Sequence, residues 1–234
     1  LLLDVFWFIR IHNWRNKNQV DLERWFLAIG KFEALSSLSG FSHHNPDYRY
    51  PKLTNNSYEI EAKQLGHPLV SAKSRISNDF EFKGQGGVCL ITGSNMSGKS
   101  TFLRTVGINC VLALMGAPVC AKSMEIGQLK VFTSMHNKDD LEENVSSFYA
   151  ELKRLKQLLG YIDGDSPVLY MIDEVLKGTN SDDRHRGAIA LIKQLNKAEA
   201  FGFVSTHDIE LGNITNQLNK IKNYSFNSII EGDE

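Results

Sequence analysis

The sequence has few cysteines, and their spacing does not suit cross-linking or metal binding. Cys89, Cys110 and Cys120 lie in apolar runs and include no C-x-x-C pair. An odd number of cysteines without that spacing argues against a disulfide framework and against a zinc site. We therefore predict three buried thiols in a protein of the reducing cytoplasm.

The sequence also lacks an excess of charge of either sign. Lysine and arginine together number 26, against 27 for aspartate and glutamate. Global charge therefore does not indicate a nucleic-acid or anionic-membrane partner, but it does not exclude a local basic patch. With 42% apolar residues, 23% charged residues and no low-complexity run, the 234 residues predict a folded, soluble protein. That length suits one sizeable α/β domain, or a smaller one with an appended piece.

The N-terminus has neither a methionine nor a signal peptide. The chain begins at Leu1, which indicates a fragment, and "LLLDVFWFI" lacks a basic region and a small-residue cleavage site. This run is shorter than the roughly 20 apolar residues that a membrane span requires. Two interpretations remain: one side of a packed helix, which we favour, or the neighbour of a membrane segment in a longer protein.

Apolar residues at helical spacing from Asp21 to Leu38 predict an amphipathic helix. We expect Gly40 and the polar stretch "HHNPDYRYP" to end it, and Pro46 and Pro51 to mark a linker into a second region.

Strand-like and helical patterns alternate after this linker. The strand-like runs are "SYEIEA", "VCLIT", "VLYMID" and "AFGFVST". Helices are predicted from near Lys99, from Val145 to Leu159 with Gly160 as a stop, and between the last two strands. Runs that are apolar on both faces predict a buried, mostly parallel sheet covered by helices.

A glycine loop connects "VCLIT" to the helix near Lys99, with the spacing G-x-x-x-x-G-K-S. Its backbone N–H groups would converge on phosphate oxygens at the positive end of the helix. Lys99 would reach the β- and γ-phosphates of ATP, and the hydroxyl of Ser100 would bind Mg²⁺. The predicted nucleotide-binding loop is Gly93, Ser94, Asn95, Met96, Ser97, Gly98, Lys99, Ser100 and Thr101.

Acidic side chains and a histidine follow the next two predicted strands. Asp173 and Glu174 end "VLYMIDE", and His207 follows "AFGFVST". Asp173 would hold Mg²⁺ through water, while Glu174 would polarise the attacking water as a general base. An imidazole at His207 would contact the γ-phosphate or that water. The predicted catalytic residues are therefore Lys99, Glu174 and His207.

The stretch "DDLEENVSSFYAEL" has acidic residues and then Ser146 and Ser147 at a predicted helix start. Helix capping explains one such serine. It does not explain why a pair lies between the two nucleotide motifs.

At these residues the chain resembles the ATPase domain of the MutS family of DNA mismatch-repair proteins, a branch of the ABC-type ATPases. Similar segments run from about Leu53 to the end of the chain. They are "LGHPLV", "TGSNMSGKSTFLR", "MGAPVCAKSMEIG", "DDLEENVSSFYAEL", "IDEVLKGTN" and "STHDIEL".

The resemblance implies an α/β phosphate-loop fold of the ABC type with a mostly parallel central sheet, preceded by a helical segment. Residues 1–52 would end the lever helices, and residues 53–234 would form the ATPase domain without its C-terminal dimer region. Adenine would lie near Ile76 and Asn78 and against His207. Ser146 or Ser147 would touch the γ-phosphate bound by a second copy, so the active unit would be a homodimer. Mismatched or branched DNA would bind through regions absent from this chain.

Some residues depart from the family pattern. Leu176 and Lys177 replace the usual glycine-arginine pair, "NSDDRHRG" is longer than the usual turn, and Ser146 follows "LEENV" in place of a glycine-bearing run. These departures indicate a divergent member and leave one alternative open: a nucleotide-dependent assembly module with little turnover, linked to a membrane. A second alternative, another ABC-type engine, is disfavoured because no L-S-G-G-Q-type signature precedes the carboxylate strand.

Overall fold

A computed structural model of the chain describes residues 2–94, 97–135, 146–162, 164, 166–177, 179–198, 200–208, 210–212 and 220–226. For Ser146 and Ser147 it describes the backbone alone. The chain divides into two compact units, residues 1–46 and residues 47–234.

The first unit is a single helix, α1 (Leu2–His44), of 43 residues. It is longer than the predicted helix because it begins at Leu2, 19 residues before Asp21, and continues to His44. It passes through Gly40, since a glycine costs only about 1 kcal/mol in a helix. None of its described side chains is buried, so the predicted packed face is not seen in this chain. No helix within the described residues is long and apolar enough to cross a membrane.

The second unit contains a small mixed sheet. Its strands are β1 (Lys52–Thr54), β2 (Glu59–Leu65), β3 (Asn78–Lys83) and β5 (Ser123–Gly127), in the order β1-β5-β2-β3. β2 pairs antiparallel with β3 and with β5, whereas β1 and β5 are parallel. Of these strands, only β2 matches a run that was predicted from the sequence.

The second sheet has five strands, and every pairing in it is parallel. Its strands are β4 (Val88–Gly93), β6 (Lys130–Ser134), β7 (Val168–Ile172), β8 (Ala200–Thr206) and β9 (Ile221–Phe226). Their order in the sheet is β6-β7-β8-β4-β9, which differs from their order along the chain. This confirms the predicted buried, mostly parallel sheet.

Within the described residues of the second unit there are three α-helices: α2 (Lys99–Leu114), α3 (Ser146–Ile162) and α4 (Ser181–Lys197). α3 continues through Gly160, so the predicted stop at that glycine is wrong. The buried face of α3 is formed by Glu151, Leu155 and Leu158, whereas Leu152 is 41% exposed.

Two apolar cores cover opposite faces of the parallel sheet. One core contains Leu90, Tyr170 and Val204 together with α3 and α4. The other contains Ile91 and Phe203 with α2 and the small mixed sheet. Neighbouring strand residues point to opposite cores, which explains why the strands are apolar throughout. The three cysteines are buried free thiols, and burial raises the pKa of Cys89 and Cys110 to about 12.

Candidate nucleotide-binding site

The predicted site residues follow three neighbouring strands of the parallel sheet. β4 leads into the glycine loop, β7 into Asp173 and Glu174, and β8 into His207. These strands are adjacent in the order β7-β8-β4. Because parallel strands end at the same edge, their carboxyl ends form a common crevice, which is where ligands bind in such sheets.

Glycines shape the loop after β4. Gly93 has φ of +153°, and a Cβ at this position would lie 2.4 Å from the carbonyl oxygen of Phe226 in β9. Gly98, which precedes α2, has φ of +91° in the left-handed region. Glycine permits both the close approach and the turn into the helix. Asn95 and Met96 lie outside the described residues.

The Ser97 hydroxyl in this loop is buried and has no hydrogen-bond partner among the described residues. Buried polar groups are nearly always bonded, so this donor is suited to a ligand oxygen.

Lys99 is buried, and its ammonium group points back into the loop. Nζ donates to the carbonyl oxygens of Gly93 at 2.9 Å and Ser94 at 2.6 Å. Burial lowers the pKa of Lys99 from its usual 10.5, and the charges of Glu174 and Asp173 oppose this effect. The loop therefore holds a positive charge at its centre without a directly bonded carboxylate among the described residues.

His207 connects Lys99 to Glu174. Its Nε2 lies 2.6 Å from Glu174 Oε1, and its Nδ1 lies 3.3 Å from Lys99 Nζ and 3.2 Å from the Gly93 carbonyl oxygen. An imidazole that donates from Nε2 and accepts at Nδ1 satisfies both charged neighbours. The three predicted catalytic side chains thus form one connected network.

Both carboxylate oxygens of Glu174 are engaged. His207 bonds Oε1, and Lys177 forms a close ion pair with Oε2. Burial raises the pKa of Glu174, but the hydrogen bonds and charges of Lys177 and His207 outweigh burial and lower it from 4.5 to about 2. Glu174 is therefore ionised at neutral pH, and in this arrangement it is a weak base.

Ser205 joins Asp173 to Glu174 and was missed in the sequence analysis. Its hydroxyl donates to Asp173 Oδ1 at 2.5 Å and accepts from the backbone N–H of Glu174 at 3.0 Å. Both Ser205 and Asp173 are buried. A serine near the end of an otherwise apolar strand was the available signal, because a buried hydroxyl requires a partner.

The remaining predicted residues stand apart from this network. Ser100 is half-buried and Thr101 exposed in the first turn of α2. Ile76 is 83% exposed, and Asn78 lines a cavity of about 560 Å³ with aromatic residues of β3, α2 and β9. Neither Ile76 nor Asn78 has a described hydrogen bond to Lys99, Glu174 or His207. The adenine assignment thus stays a prediction.

The backbone of α3 begins at Ser146, so both predicted signature serines lie in its first turn. Their side chains are outside the description of the structure. Their contact with a second copy therefore stays a prediction.

A second polar group, also missed in the sequence analysis, lies beside the site. His185 Nδ1 in α4 lies 2.6 Å from Asp208 Oδ2, and the Glu210 backbone N–H donates to Asp208 Oδ1 at 3.0 Å. One potential metal-ligand atom from each of these residues lies within 4.8 Å of the others. Both Asp208 oxygens are already bonded, so this group ties α4 to the segment that carries His207.

Fold and site together define an α/β protein in which a glycine loop, a lysine, two carboxylates and a histidine meet at one edge of an all-parallel sheet. Residues 89–234 match the family described as MutS domain V. The chain belongs to this family.

Relatives of the chain carry MutS names of several kinds. It is 32% identical over 227 residues to a DNA mismatch repair protein MutS of Methanococcoides burtonii, covering 92% of this chain and 25% of that protein. It is 31% identical to MutS protein homolog 4 of Mus musculus, and the match covers 82% of this chain and 20% of that protein. It is 32% identical to Endonuclease MutS2 of Lactococcus lactis, and the match covers 69% of this chain and 21% of that protein. The chain thus spans about a quarter or less of the length of these curated relatives.

Proposed function

We propose that residues 53–234 form the ATP-binding and ATP-hydrolysing domain of a MutS-like DNA-clamp protein, with a phosphate-loop fold of the ABC type. Residues 1–52 would then end the lever region. The observation that carries the proposal is the network joining Lys99, His207 and Glu174 beside the glycine loop. Membership of the MutS domain V family supports it.

The loop has the groups that a triphosphate requires. Backbone N–H groups at the start of α2 face the loop, where the helix dipole favours negative charge. The unpartnered Ser97 hydroxyl is a further donor. Phosphate oxygens would replace the Gly93 and Ser94 carbonyl oxygens as acceptors for Lys99. Charged acceptors bind an ammonium group more strongly than carbonyls do, which makes this exchange favourable.

Ser100 and Asp173 are suited to hold Mg²⁺. A hydroxyl and a carboxylate are the hard oxygen ligands that this cation prefers. Asp173 is buried, and Ser205 fixes one of its oxygens, which orients the other. When bound, Mg²⁺ neutralises charge on the phosphates.

Hydrolysis would proceed by direct attack of water on the γ-phosphate, with Glu174 as the general base. With a pKa of about 2, Glu174 accepts a proton poorly while Lys177 and His207 bind it. A γ-phosphate beside the loop would compete for Lys177 and for the hydrogen bond from His207, and would thereby raise the basicity of Glu174. ATP binding and base activation are coupled in this scheme.

Outside this chain, we infer a homodimer in which Ser146 and Ser147 of one copy touch the γ-phosphate of the other. DNA, mismatched or branched, would bind through regions beyond these residues. ATP affinity and DNA affinity would then change each other by the same factor.

A second candidate is a nucleotide-dependent assembly module with little turnover. The observation that favours it is the ion pair between Glu174 and Lys177, at a position where the family usually has arginine. This contact weakens the proposed base. A membrane link for the parent protein and a cytoplasmic location both stay predictions.

ATP turnover and ATP binding separate the two candidates. Lys99→Ala should reduce ATP affinity at least about 10-fold because it removes a buried cation at the phosphates. Glu174→Gln should bind ATP normally and lower turnover by about 100-fold or more, the upper part of the usual contribution of a general base. Two variants away from the site are matched controls: Lys122→Ala at an exposed position, and Glu125→Gln at a half-buried carboxylate that pairs with Lys52.

Unchanged ATP affinity in Lys99→Ala would remove the loop assignment. Binding without measurable turnover in the wild-type full-length protein would favour the assembly module. Mixing Lys99→Ala with a double variant, Ser146→Ala and Ser147→Ala, should partly restore turnover if the site is shared between copies. No restoration at saturating protein concentration would contradict sharing.

A further inference from the structure

Glu151 in α3 is a buried carboxylate outside the network described above. It is 5% exposed, and its Oε1 accepts a hydrogen bond from the backbone N–H of Leu176 at 2.6 Å. Two other charged side chains are buried in the described part of the chain, Lys99 and Asp173, and both belong to the candidate nucleotide site. Burial of a carboxylate is unfavourable unless it makes strong hydrogen bonds. The hydrogen bond from the Leu176 N–H is one described contact that offsets this cost.

The turn that donates this hydrogen bond is strained. Glu174 and Leu176 both have φ of +54°, a left-handed conformation that is unfavourable for residues other than glycine. Such a backbone persists where its surroundings hold it. Ser205 in β8 bonds the N–H of Glu174, and Glu151 in α3 bonds the N–H of Leu176. The turn is thus held at two of its residues by different elements.

We propose that Glu151 is a positioning residue that transmits the position of α3 to the turn carrying Glu174. Glu151 lies about one and a half helical turns after Ser146, the first residue of α3. A shift of the helix start therefore moves Glu151 with it and displaces the Leu176 N–H. This inference rests on the proposed function, in which Glu174 is the base and Ser146 meets the ATP of a second copy.

The consequence is control of the Glu174–Lys177 ion pair. Glu174 and Lys177 are the first and last residues of the same short turn. Displacement of Leu176 between them changes the geometry of their contact. When α3 engages a second copy, the turn releases the Oε2 oxygen of Glu174 toward water.

The test measures kcat, KM and ATP dissociation constants for Glu151→Gln and Glu151→Ala in the full-length protein. The expected loss of kcat is about 10- to 100-fold, because small misplacement of a catalytic group has effects of this size. Gln keeps a neutral oxygen acceptor and Ala keeps none, so kcat should fall in the order wild type, Gln, Ala. ATP affinity and the urea unfolding midpoint of Glu151→Gln should match those of the wild type. Gln157→Ala, an exposed change on the same helix, should leave all four quantities unaltered.

Three outcomes would overturn the inference. Wild-type kcat in both variants would show that Glu151 does not position the base. A Glu151→Gln protein that loses ATP affinity or stability in proportion to kcat would show a general structural role. A wild-type protein that hydrolyses no ATP would remove the proposed function itself, and this result is distinguished from the others by the wild-type measurement alone.

Discussion

The interactions of Glu174 predict a specific acid sensitivity of the second unit. The pKa of Glu174 is about 2 in the folded protein, against 4.5 for the unrestrained group. A carboxylate with a depressed pKa contributes stability that is fully present above the unfolded pKa. That stability is lost as the pH falls from about 4.5 toward about 2. Glu174→Gln removes this titration while keeping the size of the side chain.

The magnitude follows from proton linkage. Between about pH 6 and about pH 3.5 the unfolded chain gains the proton and the folded chain does not, which costs about 1.4 kcal/mol. Lys177 is 59% exposed, so solvent screening reduces its share and about 1 kcal/mol is the realistic value. The wild type should therefore lose about 1 kcal/mol more than Glu174→Gln over this range.

Tyrosine fluorescence during urea unfolding is the suitable assay. All three tryptophans lie in the first unit, at positions 7, 14 and 25, whereas all seven tyrosines lie in the second unit. Glu125→Gln, which changes a half-buried carboxylate of β5 paired with exposed Lys52, should follow the wild type because such surface pairs contribute little. Equal acid sensitivity of the wild type and Glu174→Gln would refute the reasoning, as would a greater loss in the variant.

Three further predictions concern the stability of the second unit in the same assay. Gly202→Ala should destabilise it by about 2 to 3 kcal/mol, because the new Cβ would lie 2.0 Å from the Tyr170 carbonyl oxygen in the neighbouring strand; a loss near zero would contradict this register. Asn109→Ala should cost about 2 to 3 kcal/mol by removing three buried hydrogen bonds, and a neutral effect would show that water replaces them. Gly187→Ala should cost up to about 1 kcal/mol, because the clash of its Cβ with Leu176 Cδ1, 2.3 Å away, is offset in part by the roughly 1 kcal/mol that alanine gains over glycine in a helix. The loss of stability caused by Gly187→Ala should be smaller in a protein that also carries Leu176→Ala. Additive losses in the double variant would exclude a contact between these two positions.

Much of the parallel sheet was predictable because its strands are buried on both faces. "VCLIT", "VLYMID" and "AFGFVST" are nearly continuous apolar runs, and β4, β7 and β8 match them closely. β6 and β9 were missed because they lie at the sheet edges and alternate with polar residues. β3 was missed for a related reason, since "NDFEFK" exposes acidic side chains on one face. Edge strands have a weaker apolar signal than central strands.

The candidate site was predictable where its polar side chains come directly after an apolar strand in the sequence. Lys99, Glu174 and His207 were identified from their order along the chain, and the structure joins them in one network. Ser205 and Glu151 were not identified, because their roles depend on which strand and helix become neighbours. Hydrogen bonds over 31 and 25 residues of sequence leave no local pattern.

The replacement at Leu176 and Lys177 affects the turn in two opposing ways. A glycine at position 176 would adopt the observed left-handed backbone without strain, whereas Leu176 adopts it with φ of +54°. Burial of the Leu176 side chain offsets that strain, and Gly187 in α4 leaves room for this side chain. Lys177 meanwhile binds Glu174 and lowers its basicity. A buried leucine fixes the turn, and an exposed lysine holds the carboxylate. In the proposed mechanism the Leu176 side chain therefore stays packed while its backbone N–H follows Glu151, and Lys177 leaves Glu174. An ion pair with an exposed lysine opens at far lower cost than a packed apolar side chain.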